Sequence, residues 1–288
     1  MANPPIDAQE YRAETLSPRD LEEICALVYQ RSGMVFGEAK RYYIERRITD
    51  LVRQRRAQSV REYISILRGD VGESELLINS FTVNETYFYR ELHQLACLSN
   101  SILPDLIRSK GPGDRIRIWS MPCSSGEEPY SIAIWLLENW ALVDAYNVEI
   151  VGSDIDTEIL RRAVDGYFGQ RSLSKLPLGI VERYFEPERN QQRRLIGDLR
   201  ESVTFAKGNI VDCKSLAALG TFDVIFCRNL LIYFDEVARE AAARNIHHML
   251  NPGGYVCLGH TESMSRISET FEPVRFVDAI VYRETRDS

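Results

Sequence analysis

A doubly wound, mostly parallel α/β sheet, preceded by a small all-α unit, is the fold class this sequence predicts. Three observations carry it. From residue 115 onward short β-branched runs alternate with amphipathic helical stretches, the pattern of a parallel sheet with crossover helices. Phe222 to Cys227 is almost wholly apolar, as expected of a strand covered on both faces. Before residue 80 the apolar residues recur at helical spacing between capping signals. At 288 residues, 44% of them apolar, the chain is long enough for two cores.

The elements follow in order. Residues 1–15 are polar and carry Pro4 and Pro5, which predicts a disordered terminus; this stretch lacks the basic and apolar regions of a signal peptide. With no apolar run of bilayer length, a cytoplasmic protein is expected. Ser17-Pro18-Arg19-Asp20 opens a helix with an N-cap, a first-turn proline and an acidic first turn; Ser32-Gly33 closes it. A second helix is predicted from Glu38 to Arg56, with Ile44, Ile48, Leu51 and Val52 as its buried stripe. Its arginines, including Arg46, Arg53, Arg55 and Arg56, lie mostly off that stripe. Such a face is either solvated or a docking surface for an acidic partner. Ser59 and Glu62 form a capping box for a third helix, and Glu73 to Ser80 is a fourth. Residues 16–82 thus form a helical domain, 83–98 a linker and 99–288 the sheet domain.

Within the sheet domain the strands are Arg115–Trp119, Val148–Val151, Val203–Ala206, Phe222–Cys227 and Tyr255–Leu258, with edge strands between Val274 and Tyr282. Helices fill Glu127 to Trp140, Asp156 to Val164 and Asp235 to Leu250. Asn251-Pro252-Gly253-Gly254 stops the last of them. Residues 166–200, rich in Gly and Pro, read as a small β-rich excursion.

Composition narrows the chemistry. A net charge of −7 argues against nucleic acid as the main partner. The six cysteines have no Cys-x-x-Cys spacing and are expected to be reduced, buried thiols. The adjacent His247 and His248 point about 100° apart on a helix, so no metal site is predicted.

Ligands of such a sheet bind beyond the carboxyl ends of its strands. The first strand ends in Met121-Pro122-Cys123-Ser124-Ser125-Gly126, which is not the glycine fingerprint of a dinucleotide site. It runs into Glu127 and Glu128, which would repel a pyrophosphate but could meet a cationic amino group. That favours S-adenosylmethionine over a nicotinamide cofactor. Carboxylates in a first turn also stabilise the helix dipole by about 0.3–1 kcal/mol each, and at least one of the pair is expected to do only that. Past the second strand, Asp154 sits where a ribose diol would be held, whereas Asp156 reads as the N-cap of the next helix.

Five segments then carry a resemblance. They are Ser80 to Glu91, Trp119 to Ala133, Ser153-Asp154-Ile155-Asp156-Thr157, Phe222 to Asp235, and Gly259-His260-Thr261-Glu262-Ser263. Their order is similar to that of the CheR-type chemoreceptor glutamate methyltransferases, over roughly residues 15 to 285. The resemblance implies a Rossmann-like S-adenosylmethionine-dependent methyltransferase sheet with an N-terminal helical domain and a small inserted antiparallel β-subdomain. It implies that Asn84, Thr86 and Arg90 close over the cofactor and that Glu128 meets its amino group. Asp154, with Ile155 beside it, would hold the ribose. Asn209 and Ile210 would lie near the adenine, and Pro122, Arg228, Asn229 and Leu230 would line the site. Arg90 and Tyr233 are the catalytic candidates; without the resemblance Tyr233 reads as an aromatic packed on the sheet.

Two positions depart from the family pattern. Met121-Pro122 stand where Ala or Gly is usual, and Ile210 where Leu is common; altered packing, with cofactor binding retained, is expected. The implied reaction gives a glutamyl methyl ester and S-adenosylhomocysteine. The implied partner is the cytoplasmic helical region of a chemoreceptor, docked on the basic helix, with a monomeric enzyme reaching the membrane only through that receptor. The rivals are an amino-directed nucleic-acid methyltransferase, whose Pro-Pro-aromatic motif is absent after the fourth strand, and a catalytically silent cofactor-binding scaffold.

Overall fold

The computed structural model describes residues 16–37 and 40–285. The expected disorder of 1–15 and the predicted start of the second helix at 38–39 lie outside those residues. The chain divides into two compact units, one taking residues up to 31 and Val35–Phe81, the other Ser32–Met34 and Thr82–Ser288.

Among the described residues the first unit contains four α-helices, α1 (Pro18–Ser32), α2 (Arg41–Arg55), α3 (Val60–Gly69) and α4 (Val71–Phe81). The Ser17 hydroxyl accepts the Asp20 amide at 3.2 Å. In α2, Ile44, Ile48, Leu51 and Val52 are buried as the periodicity requires. Arg56 ends this helix in the left-handed region, φ 54°, its N–H returning to Arg53 and Val52 carbonyls. The Ser59 hydroxyl accepts the Glu62 amide at 3.2 Å, while the Glu62 carboxylate takes the Gln58 amide rather than that of Ser59. Glu73 is fully buried in α4, and Arg55 forms an ion pair with it. Arg55 is therefore engaged within the unit, whereas Arg46, Arg53 and Arg56 are exposed.

The second unit contains β1 (Arg115–Ser120), β2 (Asn147–Asp154), β3 (Tyr167–Gly169), β4 (Gln192–Arg194), β5 (Val203–Lys207), β6 (Phe222–Cys227), β7 (Leu250–Leu258), β8 (Phe271–Arg275) and β9 (Ile280–Glu284). Among the described residues one sheet runs β5-β2-β1-β6-β7-β9-β8. Its first five strands are mutually parallel, and β9 and β8 add an antiparallel edge. Chain order proceeds outward from β1 through β2 to β5, then turns back through β6 to β7, so the strand order reverses beside β1.

The β7 start differs from expectation. The strand begins at Leu250, directly after the Glu236–Met249 helix, and Asn251 to Gly254 lie inside it. The register slips between Phe222↔Leu250 and Val224↔Tyr255, so the Pro-Gly-Gly run is absorbed as a bulge. The excursion at 166–200 is also less β-rich than its composition suggests. Two three-residue strands, β3 and β4, pair antiparallel, and helical segments at Gln170–Leu173, Leu178–Tyr184 and Gly197–Glu201 fill the rest. Of the cysteines, Cys97, Cys123, Cys227 and Cys257 are buried free thiols, but Cys213 is exposed and Cys25 only partly covered, correcting the expectation of burial for all six. No described helix is long and apolar enough to cross a membrane.

The Arg55–Glu73 pair sets a stability test. Arg55→Ala leaves a buried carboxylate without its cation and should cost about 2 kcal/mol, less than a fully buried pair because Arg55 is itself partly exposed. Thermal unfolding of the full chain should show a lowered Tm that Arg55→Met with Glu73→Leu largely recovers.

Candidate functional site

A cleft of about 980 Å³, mouth included, opens at the carboxyl ends of β1, β2, β5 and β6. Each strand delivers a short segment to it. β1 leads into Met121 and Pro122, β2 ends on Asp154 and Ile155, β5 is followed by Asn209 and Ile210, and β6 by Arg228, Asn229 and Leu230. The segment after α4 supplies Asn84, Thr86 and Arg90, and Glu128 and Tyr233 complete the wall. The structure thus brings every cleft residue singled out in the sequence to one place. Arg46, Arg53, Arg55 and Arg56 belong to the helical unit instead.

The β1 loop is built for close approach. Gly126 has φ +93°, and a Cβ there would come within 3.0 Å of the Tyr130 ring. At Gly152 in β2 a Cβ would meet the Phe205 ring at 2.8 Å and Cys123 at 3.2 Å, so β2 passes tightly beneath the loop. The Trp119 indole donates to the Ser153 hydroxyl at 2.7 Å, tying β1 to β2 just below the cleft.

Three carboxylates line this space, the exposed Glu85 at its mouth and Asp154 and Glu128 within it. Asp154 is 3% exposed and accepts the Ser124 amide at 2.9 Å and the Asp156 amide at 3.0 Å. Burial pushes its carboxyl up to about 6, against the pull of those amides. Asp156 accepts the Glu158 and Ile159 amides as the N-cap of the Thr157–Asp165 helix, and its other oxygen takes the Thr82 hydroxyl at 2.6 Å and the Asn84 amide at 3.0 Å. Glu128 accepts the Ser120 hydroxyl at 2.8 Å and pairs with Arg228 at 2.9 Å. Burial raises its carboxyl above the usual range, while the Arg228 guanidinium opposes that rise.

Glu127 and Glu128 divide their roles. Glu127, 2% exposed, accepts the Ser125 and Ser172 hydroxyls at 2.6 and 2.7 Å, fastening the loop to the 166–200 insertion. The same insertion anchors the segment after α4: Phe88 packs edge-on against Phe168 and Phe185, and its amide donates to the Ser172 carbonyl at 2.9 Å.

Some contributors escaped the sequence reading. Glu262, quoted within a motif but given no role, accepts the amides of Asn229 and Leu231 at 2.8 Å and of Gly259 at 2.9 Å. It stabilises Asn229 in the left-handed region, φ 59°. Glu91 and Ser120 support the wall from behind. The available signal was topological: the residues after β7 emerge at the same sheet edge as those after β6. Ser124 and Met121 also line the cleft.

Acidic side chains lining a cleft at the switch point, with no glycine cradle for a pyrophosphate, fit a nucleoside bearing a cationic amino acid. This fold and site define an S-adenosylmethionine-dependent methyltransferase. Residues 84–280 match the CheR methyltransferase SAM binding domain, and residues 19–82 match the CheR methyltransferase all-alpha domain. The chain belongs to the CheR methyltransferase family. It is similar to chemotaxis protein methyltransferase 2 of Vibrio cholerae, 47% identical over 86% of each chain. It is also similar to chemotaxis protein methyltransferase 1 of Pseudomonas aeruginosa, 33% identical over 92% of this chain and 97% of the relative. With chemotaxis protein methyltransferase Cher2 of Pseudomonas putida it shares 31% identity over the same proportions.

Asp154 gives the cleft a pH signature. Its carboxylate form accepts the loop amides and would accept a diol, and the protonated fraction grows as pH falls through about 6. Titration calorimetry with S-adenosylhomocysteine should show affinity level above that point and falling by up to about tenfold per pH unit below it. Asp154→Asn should weaken binding and remove this step.

Proposed function

We propose that this enzyme methylates glutamate side chains on the cytoplasmic helical region of chemoreceptors, yielding glutamyl methyl esters. The observation that carries the reading is the cleft lining itself, together with the similarity to chemotaxis protein methyltransferases. Among the described residues lining the cleft there is no histidine, lysine or cysteine, and the three carboxylates are already engaged, Asp154 by backbone amides, Glu128 by Arg228 and Glu85 by Arg171. A hydroxyl or amine acceptor would need a base to remove its proton. A glutamate, with a pKa near ~4.3, is ionised at neutral pH and needs none.

S-adenosylmethionine supplies an electrophilic methyl group on its sulfonium. The chain's residues bind and align. Asn84, Thr86 and the 82–91 segment cover the cofactor, Glu128 meets its ammonium, Asp154 and Ile155 hold the ribose, and Asn209 and Ile210 flank the adenine. Pro122, Asn229 and Leu230 shape the walls. Tyr233, half-buried on the short turn after β6, orients the incoming oxygen through its hydroxyl. Arg90, whose Nη1 donates to the Glu85 carbonyl at 2.8 Å, offsets the cost of stripping water from the acceptor carboxylate. Alignment of this kind can be worth roughly 7–11 kcal/mol.

The exposed arginines of α2 supply the docking face in this reading, with Arg46, Arg53 and Arg56 available and Arg55 held by Glu73. An acidic helical hairpin is the complementary surface.

Receptor-containing membranes incubated with methyl-labelled S-adenosylmethionine should acquire label that alkali releases as methanol. Arg90→Ala should reduce that transfer by about a hundredfold or more. Alkali-stable label would point to an amine or a base and defeat the proposal. Reversing Arg46 and Arg53 to Glu should slow receptor methylation several-fold and flatten its salt dependence, with S-adenosylhomocysteine affinity unchanged. An equal loss of cofactor affinity would remove the docking assignment.

A further inference from the structure

The end of β6 carries a guanidinium enclosed by protein. The Arg228 side chain is 3% exposed. Its Nη1 lies 2.9 Å from Glu128 and its Nη2 3.4 Å from Glu91, while Nη2 also donates to the Arg90 carbonyl at 2.8 Å. One side chain therefore gathers three strands of the site: the end of β6, the first turn of the Glu127–Asn139 helix, and the last residues of the 82–91 segment.

Glu91 is held from behind. The Gln94 amide donates to it at 2.9 Å, and the His260 ring sits 2.8 Å away. Its backbone is left-handed, φ 56°, immediately after Arg90. Burial would raise the Glu91 carboxyl, but Arg228 and His260 hold it below its ordinary value. Two negative charges thus flank one positive charge, and the Arg228 Nε is buried with no hydrogen-bond partner among the described residues. A cluster optimised for stability alone would match every donor, or be replaced by apolar side chains at little cost.

We propose that Arg228 is a positioning residue, which sets the place and charge of Glu128 against the cofactor's ammonium and, through the Arg90 carbonyl, fixes Arg90 at the cleft wall. The inference rests on the cofactor assignment and is independent of the acceptor. The groups that face Glu128 are Arg228 and Ser120 in direct contact, with Glu91 and Arg90 acting at longer range. Among the described residues only Arg228 both touches Glu128 and favours its carboxylate by charge. Without it, burial and the Glu91 charge together drive Glu128 towards its protonated form. A neutral Glu128 attracts an ammonium far less than a carboxylate does.

Calorimetric titration with S-adenosylhomocysteine from pH 5.5 to 8.5 tests this, and wild-type binding reads the cofactor assignment separately. Arg228→Met should lose roughly a hundredfold in affinity at neutral pH. Its affinity should also climb with pH through a step displaced to higher pH than in the wild type, as Glu128 deprotonates. In Arg228→Met combined with Glu128→Gln that upper step should be gone. Arg228→Lys, the variant most apt to fold, keeps the charge but not the fork. It should retain the wild-type pH profile with about tenfold weaker binding. A pH profile in Arg228→Met parallel to the wild type would show a merely structural clamp and overturn the proposal. Undiminished affinity in Arg228→Lys would do the same.

Discussion

Burying carboxylates at the carboxyl edge of a parallel sheet is the constraint around which the catalytic unit is arranged. Asp154 is buried and the Glu128 side chain is only 14% exposed, so an uncompensated charge at either would be costly to keep. The protein compensates the two by different means. Asp154 is met by backbone amides, which requires the β1 loop to turn its Ser124 N–H inward. Glu128 is met by a guanidinium, which requires the end of β6 to reach across β1. The tight turns, small residues and left-handed backbone nearby follow from those two demands.

The same logic explains the covering segment. Residues 82–91 form no regular structure, yet they are fixed at four points: Thr82 and Asn84 on Asp156, Phe88 within the aromatic cluster of the insertion, Tyr89 N on the Ser131 hydroxyl at 3.0 Å, and Arg90 O on Arg228. A loop so restrained enters the cleft with little ordering entropy left to lose, so contacts to a bound cofactor translate more fully into affinity. The 166–200 insertion contributes to the site by this route, through Ser172 and Phe168, although it lines none of the cleft.

Much of this was legible in the sequence, for identifiable reasons. Strands β1, β2, β5 and β6 carry local signals: β-branched or apolar runs, turn residues and, after β1, β2 and β6, a crossover helix. Asp156 was readable as a cap because capping acts over three residues. Glu262 and Glu91 were not assigned, because each acts on residues far away in the chain, 33 positions in one case and 137 in the other. The Asn251–Gly254 run misled for the opposite reason: Pro-Gly-Gly is a strong local stop, and pairing with β6 overrode it. Likewise nothing local distinguished Arg55 from its neighbours; its partner Glu73 lies on another helix and is buried by tertiary packing alone.

That distinction bears on how a basic face can arise in an acidic chain. Helix α2 holds five arginines against Glu45 and Asp50, while the whole chain carries −7. Arg41 is paired with Glu45, Arg55 with Glu73, and Arg47 lies over the Tyr43 ring. These three have structural duties within the helical unit that would retain them with no partner present. Arg46 and Arg53, seven residues apart and so on one face of the helix, are exposed and have no such duty among the described residues. Helix propensity favours lysine, glutamate and glutamine at such positions nearly as well as arginine. Arginine adds a planar, bidentate fork suited to carboxylates. A pair of forks on one face of a helix, set against a long-range field of opposite sign, is suited to a partner that presents carboxylates along a helix and ill suited to diffuse attraction of anions in general.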